Sequence, residues 1–310
     1  MEMVINVLNR SQGYVVLAAF GLSFILVFST LLKNTGMSSL EQLLLRLGFS
    51  LIILLLILIT KGKLHFIQRN DVPFFAAFGF VYALFAFSGL SSIAFGTPIP
   101  VSIALVYTQP IYTAVMAWLT RKEKVTMVKL GVVFLGVLGA FLVAGLNAAN
   151  VQFGLGIFFA LLTGFLYAVY LWLKRRATSR MLNSYTPYHI LFNTFLFAVP
   201  SLIIVGLLLR NFSTYRLFVG ITMPDPFQLG LVFIFAAFST VLPYGLLNYV
   251  KTEDVLPTTE GLLLLGDPIL HTLWAILFFN QFVSFTQYVG GGLILLSAGL
   301  NLKIASKISG

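Results

Sequence analysis

Apolar residues run through this chain in blocks, and charge is confined to the gaps between them. Residues 72–120 contain no Lys, Arg, Asp or Glu, and neither do residues 130–173. A helix needs about 20 apolar residues to cross a bilayer, so each block holds two spans. Turn chemistry divides them at Gly96, Thr97 and Pro98 and at Asn147, Ala148, Ala149 and Asn150. The same reading predicts ten spans: 12–32, 38–60, 72–93, 98–119, 127–146, 154–173, 186–209, 226–248, 256–279 and 284–303. Strands of a membrane barrel alternate apolar and polar residues, and runs such as 51–59 do not. The expected fold is an all-α integral membrane protein.

Composition agrees. Hydrophobic residues make up 59% and charged residues 9%, against roughly 25% charged in a soluble domain. The net charge of +10 raises nucleic acid as a partner, but its placement points elsewhere. With the N-terminus in the cytoplasm, fifteen of the 19 Lys and Arg fall on that side: Arg10, Lys61, Lys63, Arg69, Arg121, Lys122, Lys124, Lys129, Lys174, Arg175, Arg176, Arg180, Lys251, Lys303 and Lys307. Lys33, Arg210 and Arg216 fall outside, and Arg46 lies within a span. This is a positive-inside distribution. It predicts cytoplasmic termini, a multi-pass protein of the cell (inner or plasma) membrane, and no nucleic-acid partner. Cysteine is absent, which excludes disulfides, thiolate metal sites and cysteine nucleophiles, and no cofactor or metal is expected. The first span is too long for a signal-peptide core and lacks a small-residue cleavage site, so it is expected to stay in the mature protein.

The chain also repeats itself. Pro110 set over Pro268, an offset of 158, brings Ile111 to Ile269, Ala117 to Ala275, Leu119 to Leu277 and Val125 to Val283. An offset of 141 sets Gly13 on Gly154, Ala19 on Ala160, Phe24 on Phe165 and Lys33 on Lys174. Five spans per half is an odd number, so the second half is expected to be inverted. The loop after span four, 121–124, is basic, and its counterpart 280–283 carries no charge, as matching loops on opposite sides should. The expected halves are 1–150 and 151–310. Inverted repeats are a transporter architecture with the substrate site near the midplane.

Span four and its exit carry Tyr107, Gln109, Pro110, Trp118, Arg121, Lys122 and Glu123, followed by Gly131 and Gly136. Leu265, Gly266, Asp267 and Pro268, with Gly290, Gly291 and Gly292, repeat the pattern. In these residues the chain resembles the EamA repeat of the drug/metabolite transporter superfamily, and Arg46 and residues 160–170 resemble it too. Gln281 stands where the second repeat usually has glutamate, and Ser23 and Phe24 where span one often has a tryptophan–glycine pair. The resemblance implies ten helices around a central cavity lined mainly by spans one, three, four, six, eight and nine. It implies export or exchange of amino acids and other small metabolites, often without ATP hydrolysis. No P-loop appears in the sequence, in agreement.

Ionisable residues inside a membrane are costly, about 2.5–3.5 kcal/mol each at a helix centre on insertion scales, and they mark candidate sites. Glu260, Asp267 and His271 are spaced by seven and four, one stripe of an ideal helix, and are candidates for proton coupling. The plainer reading has Asp267 and His271 satisfying backbone groups freed by Pro268, and Glu260 favouring a helix N-terminus. Arg46 reads as a clamp for a substrate carboxylate or a partner for Asp267; otherwise it snorkels outward beside Gln42. Tyr107 and Gln109 flank Pro110 and are substrate-binding candidates, with Tyr82, Tyr244 and Asn248 behind them. Gly136, Ala140 and Ala144 form a small-residue stripe for close helix contact, within the chain or in a weak homodimer.

The expected function is a secondary transporter of small polar metabolites such as amino acids, an exporter working by alternating access with possible proton coupling. The alternatives are an uncoupled facilitator or exchanger and, from another class, a membrane enzyme. The last lacks both a His-Glu-x-x-His zinc site and a Gly-x-Ser-x-Gly elbow. A channel lacks any filter-like run.

Overall fold

The computed structural model describes residues 9–97, 99–120, 126–143, 154–211, 215–250, 253–279 and 284–306. Pro98, the turn at 147–150, the basic run 121–124, Ala144 and Gln281 lie outside the described residues. Among the described residues the chain forms ten helical rods, four of them interrupted. α1 comprises Arg10–Leu22 and Ile25–Asn34, α2 Ser39–Thr60, α3 Val72–Ala94, and α4 Ile99–Val106 with Gln109–Leu119. α5 is Met127–Val143, α6 Leu155–Met181 and α7 Pro187–Arg210. α8 runs through Pro226–Ala236, Ala237–Val241 and Leu242–Tyr249; α9 comprises Pro257–Leu264 and Gly266–Phe279; α10 is Phe285–Ser306. Seven rods are long and apolar enough to cross a membrane, and Met127–Val143 is a shorter apolar helix.

Local chemistry sets the starts. Asn9, Ser38 and Asp225 form capping boxes with Gln12, Glu41 and Gln228, each pairing a backbone N–H that the first turn leaves unsatisfied. α3, α7, α8 and α9 carry a proline in the first turn, where its missing N–H costs nothing.

The helix packing has two-fold symmetry. α3 packs on α6 and α7, α8 on α1 and α2, α4 on α6, and α9 on α1. α2 meets α7, α4 meets α9, and α5 meets α10. Exchanging each helix for the one five places along turns α3–α6 into α8–α1, α3–α7 into α8–α2 and α4–α6 into α9–α1. The other three pairs are unchanged. With an odd number of crossings per half, the halves are inverted about an axis in the membrane plane.

The side chains obey the same symmetry. Lys33 at the end of α1 donates to the Ile93 carbonyl of α3 at 3.0 Å. Lys174 of α6 donates to the Leu247 carbonyl of α8 at 3.2 Å. The pairing of Lys33 with Lys174 is therefore visible in three dimensions.

Loop contacts define two ends. At one, the Tyr185 hydroxyl donates to Asp71 Oδ2 at 2.8 Å and accepts from the Gln68 N–H at 2.9 Å. Burial pushes this hydroxyl above the usual tyrosine range, so it stays a donor at neutral pH. Asn9 and Ser11 reach Asp254 at the same end. Arg10, Lys61, Lys63 and Arg69 lie there in sequence, and we call it the basic end. At the other end Ser38 donates to the Gly220 carbonyl at 2.6 Å, Tyr215 to Ala94 at 2.8 Å, and Gln228 to Thr35 Oγ1 at 2.9 Å.

α5 and α10 sit to one side, backbone against backbone. A Cβ on Gly139 would stand 2.7 Å from the Gly290 carbonyl oxygen, and one on Gly290 2.6 Å from that of Gly139. Gly136 faces Ser297 of α10 and Ala140 is fully buried, so the described part of the small-residue stripe packs within the chain. Overpacking costs about 1–3 kcal/mol, occasionally more, and here the obstacle is backbone. Gly139→Leu should therefore lower the melting temperature in detergent and the yield of monodisperse protein, while Gly131→Leu, with nothing within 4 Å, should do neither.

A polar cavity at the broken helices

The interruptions have local causes. Proline has no N–H to close the bond to the carbonyl four residues back. For Pro110 and Pro268 those carbonyls belong to Val106 and Leu264, the last residues of the first segments of α4 and α9. The breaks at Tyr107 and Leu265 are related by the same offset of 158. In α8, ahead of Pro243, the helix widens over Ala237–Val241, with the Leu242 N–H bonded to Ala237 five residues back. α1 breaks at Ser23 and Phe24 without a proline. There Ser23 Oγ donates to the Phe20 carbonyl at 2.6 Å and accepts from Trp274 Nε1 of α9 at 2.7 Å.

Between these breaks lies a cavity of about 110 Å³. Its polar lining comprises Arg46 of α2, Ser102 and Tyr107 of α4, Thr163 and Tyr167 of α6, Tyr244 of α8, and Asp267 and His271 of α9. Leu22 and Ile25 of α1, Phe85, Ala86, Gly89 and Leu90 of α3, and Ile103 and Val106 of α4 complete it. Every helix expected to line a central cavity contributes, and α2 joins them.

Arg46 is 2% exposed. Its guanidinium lies over the Phe235 ring at 4.7 Å, and Nη2 is 3.5 Å from the Tyr82 hydroxyl, the outer limit of a hydrogen bond. Nε is buried without a hydrogen-bond partner. The side chain does not snorkel, and Gln42 is engaged instead with Ser29 and the Met37 carbonyl. The ion pair of Arg46 with Asp267 is not formed. His271 Nδ1 stands 3.0 Å from Asp267 Oδ1 and 3.1 Å from the Asp267 carbonyl oxygen, while His271 Nε2 is buried without a hydrogen-bond partner. Asp267 also occupies the first turn of its half-helix, where the helix dipole favours a carboxylate.

Glu260 departs from the expected stripe because α9 is interrupted between it and Asp267. It lies in the first segment of α9, fully buried, and is held by Lys174 Nζ and by Arg175 Nη2, the latter at 2.6 Å from Oε2. Arg175 Nη1 further donates to the Val255 carbonyl at 2.7 Å. Lys174 and Arg175 were assigned to a loop by their charge; the structure continues α6 to Met181 and buries both. Lys129, counted on the cytoplasmic side at the start of span five, is buried in α5.

Among the remaining candidates, Tyr107 and Tyr244 line the cavity. Tyr82 lies one layer behind, fully buried, its ring 5.3 Å from Tyr244 and 5.6 Å from Tyr170. Gln109 turns away to bond Thr113. Asn248 donates to the Pro187 carbonyl at 3.2 Å toward the basic end.

The sequence reading did not single out Thr163, Tyr167 and Tyr170 on α6 as site residues. Their spacing of four and three, continued by Lys174 four further on, is a polar stripe on an otherwise apolar helix, and it was legible.

The fold and site define a multi-pass helical membrane protein with a polar cavity enclosed between two inverted halves. The sequence matches the EamA-like transporter family over residues 11–145 and 154–303, and the chain belongs to that family. No protein of curated function matches it. One crystal structure of a protein is similar in fold, with a TM-score of 0.68 at 17% identity over 95% of this chain and 99% of that one.

Proposed function

We propose that the protein is a secondary transporter that exports small polar metabolites such as amino acids across the cell membrane, by alternating access, with Asp267 and His271 coupling transport to protons. One observation carries this reading. A buried guanidinium and a buried carboxyl–imidazole pair line one cavity without forming an ion pair with each other. A zwitterion supplies what each lacks, a carboxylate for Arg46 and an ammonium for Asp267. The size supports it: about 110 Å³ is small beside the roughly 300–1,000 Å³ of sites for drug-sized ligands.

The Lys and Arg distribution supports placing the basic end in the cytoplasm. Alternating access needs a closure at each end, and the cluster of Glu260, Lys174 and Arg175 suits the cytoplasmic one. Glu260 and Arg175 line a second cleft at that end, and the same α6 stripe carries Tyr167 in the cavity.

Counter-flow in proteoliposomes with amino acids, sugars, nucleosides and lipophilic cations tests the substrate class. Exchange of amino acids is expected, and exchange of lipophilic cations alone overturns the reading. A hydrogen bond to a charged group contributes about 1.5–3 kcal/mol. Arg46→Gln should therefore weaken apparent affinity for a carboxylate-bearing substrate by roughly ten- to a hundredfold, and weaken it little for the matching amide.

A further inference from the structure

The second cleft, about 160 Å³, opens at the basic end between α4, α6 and α9. Its floor is apolar, with Met116, Ala117, Leu171 and Leu256, and its lining also includes the buried Arg175 and the exposed Arg176 and Arg180. Glu260 is the acid among its lining residues, and that charge is already met by Lys174 and Arg175. Arg176 is exposed and stacks on Trp172, 5.7 Å from the ring centroid. Arg180 is exposed too, and among the described residues neither Arg176 nor Arg180 forms an ion pair. Val115, Trp118 and Leu119 of α4, 46%, 62% and 65% exposed, lie on the helix face opposite the cleft, so the apolar surface the cleft offers is its own floor. The cleft thus joins cationic donors at the interface to an apolar wall below them.

We propose that this cleft is a binding site for an anionic phospholipid. Its phosphate is held by Arg176 and Arg180, and an acyl chain lies on the apolar floor along Met116 and Leu171. Three features separate it from an ordinary solvated basic surface. The cationic groups sit over a concave apolar floor, as headgroup sites between membrane helices do. Arginine forks match phosphate oxygens two at a time. Trp172 lines the cleft under Arg176, and tryptophan is an aromatic that favours the headgroup region. A free anionic solute would use the arginines but leave the apolar floor of Met116, Ala117, Leu171 and Leu256 unused. The cleft shares Glu260 and Arg175 with the closure proposed above, but Arg176 and Arg180 belong neither to that closure nor to the cavity of Arg46 and Asp267, so their test does not depend on what the protein carries.

Native mass spectrometry of the full-length protein in detergent, with phosphatidylglycerol and phosphatidylcholine of identical acyl chains, tests the proposal. Wild-type protein should retain phosphatidylglycerol at least tenfold better than phosphatidylcholine. Arg176→Gln with Arg180→Gln should abolish that preference at an unchanged melting temperature, and Arg176→Lys with Arg180→Lys should recover part of it. Equal retention of the two lipids, or an undiminished preference in the Gln double variant, overturns the proposal. So does displacement of the lipid by millimolar inorganic phosphate, which would assign the arginines to a soluble anion.

Discussion

Asp267→Asn should abolish proton-driven accumulation of substrate in proteoliposomes, a loss of at least tenfold, while substrate exchange persists within a few-fold of wild type. The substitution keeps the size of the side chain and removes its titration. In the folded protein Asp267 is 7% exposed and the His271 imidazole stands 3.0 Å from its carboxyl. An ionised carboxyl inside a membrane is sustained by a partner or given up by protonation. A substrate ammonium entering the cavity is such a partner, so binding substrate and binding a proton become competing events at one group. Under the proposed function, that competition is what would couple the two flows. A purely structural Asp267, serving only the half-helix N-terminus, would give a different result. Its loss would lower exchange and accumulation alike and leave their ratio across an imposed pH gradient untouched. Accumulation by Asp267→Asn equal to wild type would end the proton role.

Glu260→Gln should open the basic end. Removing one member of a buried ion pair costs about 3–5 kcal/mol, because the remaining charge is left without compensation. In this protein two cations, Lys174 and Arg175, converge on the one carboxylate. Conformations that hydrate them are then favoured over the closed one. The chain contains no cysteine, so Thr163→Cys in the cavity gives a single thiol. Its labelling by an impermeant reagent applied from the basic end should accelerate at least tenfold when Glu260→Gln is added. Lys174→Met, which leaves Arg175 on Glu260, should give a smaller acceleration and guards against misfolding of the first variant. Unchanged labelling in both well-folded variants would remove the cluster from the gating scheme.

The sequence carried the architecture because lipid imposes the strongest patterns. Blocks of about 20 apolar residues gave the rods, and an offset of 158 already joined the two prolines that interrupt α4 and α9. The site was read less completely, for reasons specific to each residue. Arg46, Tyr107, Tyr244, Asp267 and His271 stood out as polar residues in apolar surroundings, and they share a cavity. Glu260 was placed on their stripe because an ideal helix was assumed, and the interruption at Leu265 defeats that assumption. Lys174 and Arg175 were taken for a loop because basic residues usually end a span, whereas here α6 runs on and an acid from another helix meets them. That pairing spans 86 residues, which no local pattern reports. Gln109 was chosen for its neighbour Pro110, but Thr113, one turn away, takes its side chain.

Lys33 and Lys174 occupy equivalent places in the two halves, yet their surroundings differ. Beside Lys174 stands Glu260; at the position equivalent to Glu260 in the first half stands Ser102, bonded to Ser92. Were the halves interchangeable, opening at one face and opening at the other would be degenerate states, occupied equally. A single carboxylate lifts that degeneracy. Under the proposed function, each 1.4 kcal/mol by which it holds the basic end shut would weight the resting populations tenfold toward molecules open at the other end. Without substrate, an inverted-repeat carrier of this build rests on one side of its cycle, at a point set by how far its two sequences have diverged.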